Sequence, residues 1–279
     1  MSDVKKDFEA RFHPDETELL ILTKESVTGA GVCGKYLMPS LAFWASVDIK
    51  TGELSEKRGR LQWLIKNTPD RKGWGYDFEQ FKIYHIKARK SFPQKLEPYM
   101  DPTINNCYMV TEVINDNATD SRLEAMAEKL SRPVHITIDN IGTFELNRKF
   151  SFFEGEINWL GESCLLSLDT DNEDSETADQ AVSVLQQLYA GLKDWDTRLR
   201  QYAAAELTAN ANEWNEEDDE PGDPITEEIF ARRLKISELA IMPTGEFSVY
   251  YDDDDMFWGH VVIVSANING EIYDAQIAG

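Results

Sequence analysis

The longest helical pattern in the chain, Ser175 to Asn215, stands between two sets of short β-like runs, and this order limits the fold more than any other feature. Within the block, Ala178, Val182, Leu185, Leu188, Tyr189 and Leu192 fall on one apolar stripe, and Trp195, Leu199, Tyr202 and Ala203 begin another. The spacing predicts two amphipathic helices that meet near Lys193 to Asp196. VHITI, TFELN, KFSFF, EINWL and CLLSL precede the block as short strands, with Gly142, Gly155 and Gly161 at turns or bulges. After it, NEEDDEPGDP (215–224) reads as an exposed acidic loop and TEEIFARRL as a shorter helix capped by Thr226. ELAIM, EFSVYY, FWGHVVIVSA and EIYDAQI then form an antiparallel meander whose long third strand is apolar enough to be buried on both faces. Apolar helix stripes must be covered, so residues 131–279 are expected to be an α+β domain with helices packed on an antiparallel sheet.

Residues 1–130 have a different texture. ELLIL, LAFWASVDI, RLQWLI, FEQFKIYHIKA and CYMVTEVI have strand composition, punctuated by Gly52, Gly59, Asn67, Pro69, Gly73 and Gly75. Several short strands with turns between them predict a mostly β domain, a small barrel or a curved sheet. SRLEAMAEKL adds a terminal helix that Pro133 ends, which puts the domain boundary near residues 117–132.

Charge separates the halves again. Residues 1–130 carry 19 Lys and Arg against 20 Asp and Glu, whereas residues 131–279 carry 9 against 31, a formal charge of −22. The second half would be repelled by nucleic acid and by anionic membranes, and its charge serves either attraction to a basic partner or plain solubility. Within the first half, Lys57 to Lys95 holds 11 basic residues interleaved with Trp63, Trp74, Tyr76, Phe78, Phe81 and Tyr84. Those are the ingredients of a single-strand nucleic-acid surface, but they are equally ordinary strand aromatics and solvated cations, so nucleic acid is the third choice of partner. The N-terminal sequence is charged throughout and the uncharged run YLMPSLAFWASV is too short to span a bilayer, so the expected location is cytoplasmic, with no membrane partner.

Motifs that would announce chemistry fail on their own mechanical requirements. GAGVCGKY (29–36) fits part of a phosphate-binding loop, but Tyr36 stands where a magnesium-binding hydroxyl is needed, and Pro39 interrupts any helix after it. It reads as a glycine-rich loop between strands. The acidic runs starting at Asp169 and Asp252 lack the glycine or the terminal glutamate of a calcium loop. Cys33, Cys107 and Cys164 form no CxxC pair, and His13, His85, His135 and His260 match no hydrolase signature. No cofactor, metal ligand set or catalytic residue is therefore assigned.

The segments GTFELNRKFSFFEGEINWLGE, LKDWDTRLRQYAAAELTANANEW and GEFSVYYDDDDMFWGHVVIVSANINGEIYDAQIAG resemble a bacterial family known as domain of unknown function 2262, over about 131–279. Residues 1–130 resemble a companion domain found upstream of it. The resemblance implies a bacterial protein and brings no activity with it. The expected function is a non-enzymatic protein-binding module, an acidic binder of a basic protein in the manner of immunity proteins or antitoxins. Its candidate surface is Asp252, Asp253, Asp254, Asp255, Trp258 and His260: a solvated acidic hairpin tip beside a tryptophan assigned to the core. The alternative is a metal-dependent hydrolase using Asp252–Asp255 and His260, with the histidine on a central strand near the acidic tip.

Overall fold

The computed structural model describes residues 4–97, 100, 102–173, 175–217 and 222–279. The chain forms two compact units, Met1–Arg132 and Pro133–Gly279. The first unit is mostly β and the second is α+β.

In the first unit, helix α1 (Val4–Glu9) is followed by β1 (Thr17–Thr23), β2 (Ala30–Cys33), β3 (Tyr36–Asp48), β4 (Leu54–Ser55), β5 (Gly59–Gln62), β6 (Ile65–Lys66), β7 (Ile83–Lys90), β8 (Cys107–Asn115) and α2 (Ser121–Ser131). Five of the strands close into a ring in the order β1, β3, β5, β8, β7 and back to β1. All its pairs are antiparallel except β5 with β8, where Leu61 faces Tyr108. Closure leaves the ring without free edges. Leu19, Ile21, Leu41, Phe43, Leu61 and Ile86 fill the interior. Leu20, Leu22 and Trp44 point outward, where Leu123 of α2 covers them, so β1 is buried on both sides. Asp120 caps α2 by accepting from the Arg122 and Leu123 N–H groups.

Local departures from the sequence reading have local causes. GAGVCGKY is itself a hairpin, not a loop: β2 pairs with the start of β3, Cys33 faces Tyr36, and Gly34 makes the turn at φ 59°. Pro39 lies in β3 opposite Ala30. FEQFKIYHIKA is a strand only from Ile83. Phe78 instead plugs the barrel from a loop, which the Tyr84 hydroxyl holds by accepting the Glu79 N–H and donating to the Asp77 carbonyl.

The second unit is one eight-stranded sheet. Strands β9 (His135–Ile138), β10 (Gly142–Asn147), β11 (Phe152–Trp159) and β12 (Glu162–Asp169) come before α3 (Asp179–Ala190), α4 (Leu192–Glu217) and α5 (Glu227–Arg233). Strands β13 (Lys235–Ile241), β14 (Glu246–Asp252), β15 (Val261–Asn267) and β16 (Ile272–Ala278) follow them. Spatial order equals chain order, and every pair is antiparallel except β12 with β13, which the helical crossover makes parallel. Leu185, Leu188, Leu199 and Ala203 pack with Phe144, Phe153, Trp159, Leu239, Phe247 and Val249 in one core. Two corrections apply here. The helices meet at Gly191 and not at Lys193–Asp196, and β15 begins at Val261 and alternates between faces instead of being buried on both. Of the acidic loop expected at 215–224, residues 218–221 lie outside the described residues; Asn215 and Gly222 bond to each other across it.

A polar hub fastens α4 to the sheet. The Asp196 carboxylate accepts from Trp159 Nε1 at 2.8 Å and from Arg200 Nε at 2.9 and 3.0 Å. Arg200 also donates to the carbonyls of Ala231 and Leu234, and its guanidinium lies 5.2 Å from the Tyr251 ring centre. Burial lifts the Tyr251 hydroxyl far above the ordinary tyrosine range.

The thiols are all free. Burial pushes Cys107 up to about 11 and Cys164 up to about 12, whereas Cys33 is half-buried on the β2 edge. Reactivity follows the thiolate and its access. A disulfide reagent should therefore titrate one thiol, Cys33, in the native protein and three in denaturant; rapid native labelling of Cys164 would contradict the packing of β12.

Candidate functional site

The β14–β15 connection is built by its own acidic run. Asp252 ends β14 and pairs with both Lys235 and Val261, so the loop spans 253–260. Asp253 is 3% exposed, because its carboxylate accepts the backbone N–H groups of Asp255 and Phe257. Asp254 reaches back to the end of α5 and the start of β13. Its carboxylate takes Lys235 Nζ at 2.5 Å and Arg233 Nε at 3.2 Å, and its carbonyl accepts a second Arg233 bond at 2.6 Å. The Lys235 ammonium, followed by the Arg233 guanidinium, holds the Asp254 carboxyl below the usual carboxylate range. Only Asp252 and Asp255 are left with exposed side chains. The expected solvated tip of four aspartates is thus corrected: two of the four are structural.

The aromatic part is also rearranged. Phe257 is fully buried against Trp214 and Phe230. Trp258 was assigned to the core, but it is 52% exposed, because the chain turns at Trp258 and Gly259 before β15 starts. Its ring lies 4.8 Å from that of Trp214, near the end of α4. His260 sits in the turn and not on a central strand. Its Nδ1–H donates to the Phe257 carbonyl at 2.6 Å, its ring packs edge-on to Trp214 at 5.2 Å, and Gly279 lies against its other side. Trp214 was missed by the sequence reading. The stripe Leu199, Ala203, Leu207, Ala211 carried three residues further would have found it.

Backbone strain concentrates here. Asp254, Asp255 and Trp258 have φ of 49°, 66° and 55°, a region that costs a non-glycine residue about 1 kcal/mol or more. The loop therefore presents a half-exposed indole at a cost in backbone strain, on the same connection as the exposed Asp252 and Asp255.

As a metal site the loop is poorly arranged. Asp253 and Asp254 spend their oxygens on backbone and cations, His260 Nδ1 is committed to a carbonyl, and no cluster of three or more His, Cys, Asp or Glu suited to a metal exists among the described residues. The aromatics of the basic stretch in the first unit are likewise occupied. Trp63, Phe78 and Tyr84 are core residues, Arg71 covers Trp74, and Tyr76 donates to the Thr111 carbonyl. Lys82 and Lys87 pair with Glu79 and Glu112. No helix among the described residues is long and apolar enough to cross a membrane.

The fold and the loop define a two-unit protein, a closed barrel followed by a helix-backed sheet that displays a strained tryptophan turn. Residues 139–277 match the family model of an uncharacterized protein conserved in bacteria, DUF2262, and residues 4–130 match DUF7021, a domain of unknown function. The second unit belongs to the DUF2262 family and the first is a DUF7021 domain. No curated protein and no solved structure matches the chain.

Proposed function

We propose that the chain is a non-catalytic protein-binding module whose second unit engages a basic protein, with Trp258 as the anchor. The observation that carries this reading is the half-exposed Trp258 ring held at positive φ, since strain and an exposed indole both cost stability and are tolerated where a surface is used. Asp252 and Asp255 are exposed on the same connection, and the −22 formal charge of residues 131–279 supplies long-range attraction to a cationic partner.

Trp258→Gly relieves the φ strain and loses the contact with Trp214, two effects of about 1 kcal/mol that oppose each other. Folding stability is therefore expected to stay within about 1 kcal/mol of wild type, while recovery of a basic protein from bacterial extract is lost. Joint replacement of Asp252 and Asp255 by Asn should slow association several-fold at low salt, and the difference should vanish once the Debye length shrinks well below ~8 Å. Recovery of the same proteins by wild type and Trp258→Gly, at both salt concentrations, would end this reading.

A further inference from the structure

One end of the barrel in the first unit opens into a cavity of about 860 Å³. Its walls are the start of β1, the ends of β3 and β7, the start of β8 and the segment 53–57. Barrel mouths are recurrent places for small-molecule sites, and this volume is in their range. Two of the lining side chains are polar and almost wholly enclosed: Ser46 is 5% exposed and Tyr108 is 8% exposed. Neither hydroxyl hydrogen-bonds to any of the described residues, and neither oxygen is sealed in the wall, so both stay open to the cavity. Phe43 packs on the Tyr108 ring at 6.1 Å and keeps it in place. The two hydroxyls are donors and acceptors set out for something that enters the mouth.

Charge narrows what that is. Asp15, Glu16, Asp48, Glu53 and Glu56 line the cavity against Lys57 and Lys90, five carboxylates to two ammoniums. The Thr51 backbone N–H is the main cause that holds Asp48 below the usual carboxylate range, which keeps it ionised at neutral pH. Such a mouth repels phosphates and carboxylates and concentrates cations.

We propose that the barrel mouth is a binding site for a small organic cation, an amine or guanidinium compound whose remaining groups hydrogen-bond to Ser46 and Tyr108. The site is separate from the Trp258 loop and does not depend on its role. The test is calorimetric titration of the full chain with agmatine and with spermidine at low ionic strength, with citrate as the anionic control. At least one cation should bind saturably, one per chain, with sub-millimolar Kd. Tyr108→Phe and Ser46→Ala should each weaken it about ten-fold, because each removes a hydroxyl and leaves the charge unchanged. Neither variant should melt below wild type, since neither hydroxyl has an internal partner to lose. Glu53→Gln with Glu56→Gln, on the rim, should weaken binding without touching the enclosed residues. Diffuse attraction to an acidic protein would ignore the two hydroxyls. Absence of saturable binding by both cations, equal binding by the hydroxyl variants, or citrate binding as tightly as the cations would overturn the proposal. A fall of several degrees in the melting temperature of Tyr108→Phe would remove its structural basis.

Discussion

Asp196→Ala should strongly destabilise the second unit. The Asp196 and Arg200 side chains are 16% and 15% exposed, so removing the carboxylate leaves an enclosed guanidinium with only Glu162, at 3.7 Å, as a counter-charge. Breaking such a pair costs about 3–5 kcal/mol when burial is complete, and the slight exposure here argues for about 3. The Trp159 indole N–H loses its acceptor in the same step, deep in the core. For a unit of this size the melting transition should fall by roughly 6–12 °C. Since the hub lies wholly in the second unit, calorimetry should show the barrel transition unmoved. Adding Arg200→Met to Asp196→Ala should restore part of the loss, because an apolar pair avoids the uncompensated charge. A fall of less than 1 kcal/mol in the single variant would show that the hub contributes little.

Gly59→Ala should have a comparable effect on the first unit. A Cβ at residue 59 would lie 2.2 Å from Phe43 Cζ and 2.4 Å from the Asn106 carbonyl oxygen. The ring could shift; the carbonyl belongs to the chain leading into β8 and cannot move without opening the ring of strands. Overpacking of this kind costs about 3 kcal/mol, which for this unit is roughly 10 °C in melting temperature. Gly31→Ala is the matched control, with nothing within 4 Å of its added carbon, and should be neutral. Equal behaviour of the two variants would mean that the close approach at Gly59 is not a feature of the folded barrel.

Much of this architecture is legible in the residues, and what is not has physical reasons. Apolar stripes marked α3 and most of α4, and composition marked the strands, because both report burial along the chain. Barrel closure left no such mark. A strand reads the same whether its neighbour is β3 or β8, so the parallel β5–β8 pair and the β1–β3 seam could not be seen. The loop at 252–260 misled for another reason: Met256, Phe257 and Trp258 next to an apolar strand look like its continuation. Only the backbone bonds of Asp253 and the turn at Gly259, φ 84°, divert them. The same applies to the hydroxyls in the barrel mouth, since Ser46 and Tyr108 are 62 residues apart and nothing local connects them.

The parallel pair of β12 and β13 also sets a timetable. Strands β9–β12 and β13–β16 are each made of neighbours in sequence, so each half-sheet can form from short loops alone. Joining them requires about 65 intervening residues, the three helices included. At a synthesis rate of roughly 5–20 residues per second, the edge of β12 therefore waits on the ribosome for about 3–13 s before β13 exists to cover it. Over that interval β12 presents Leu166 and Leu168, buried in the finished unit, beside an unpaired backbone edge. The nascent helices α3 and α4 are the first cover available to that surface. How early they dock decides whether a nascent chain meets its own second half before it meets another chain.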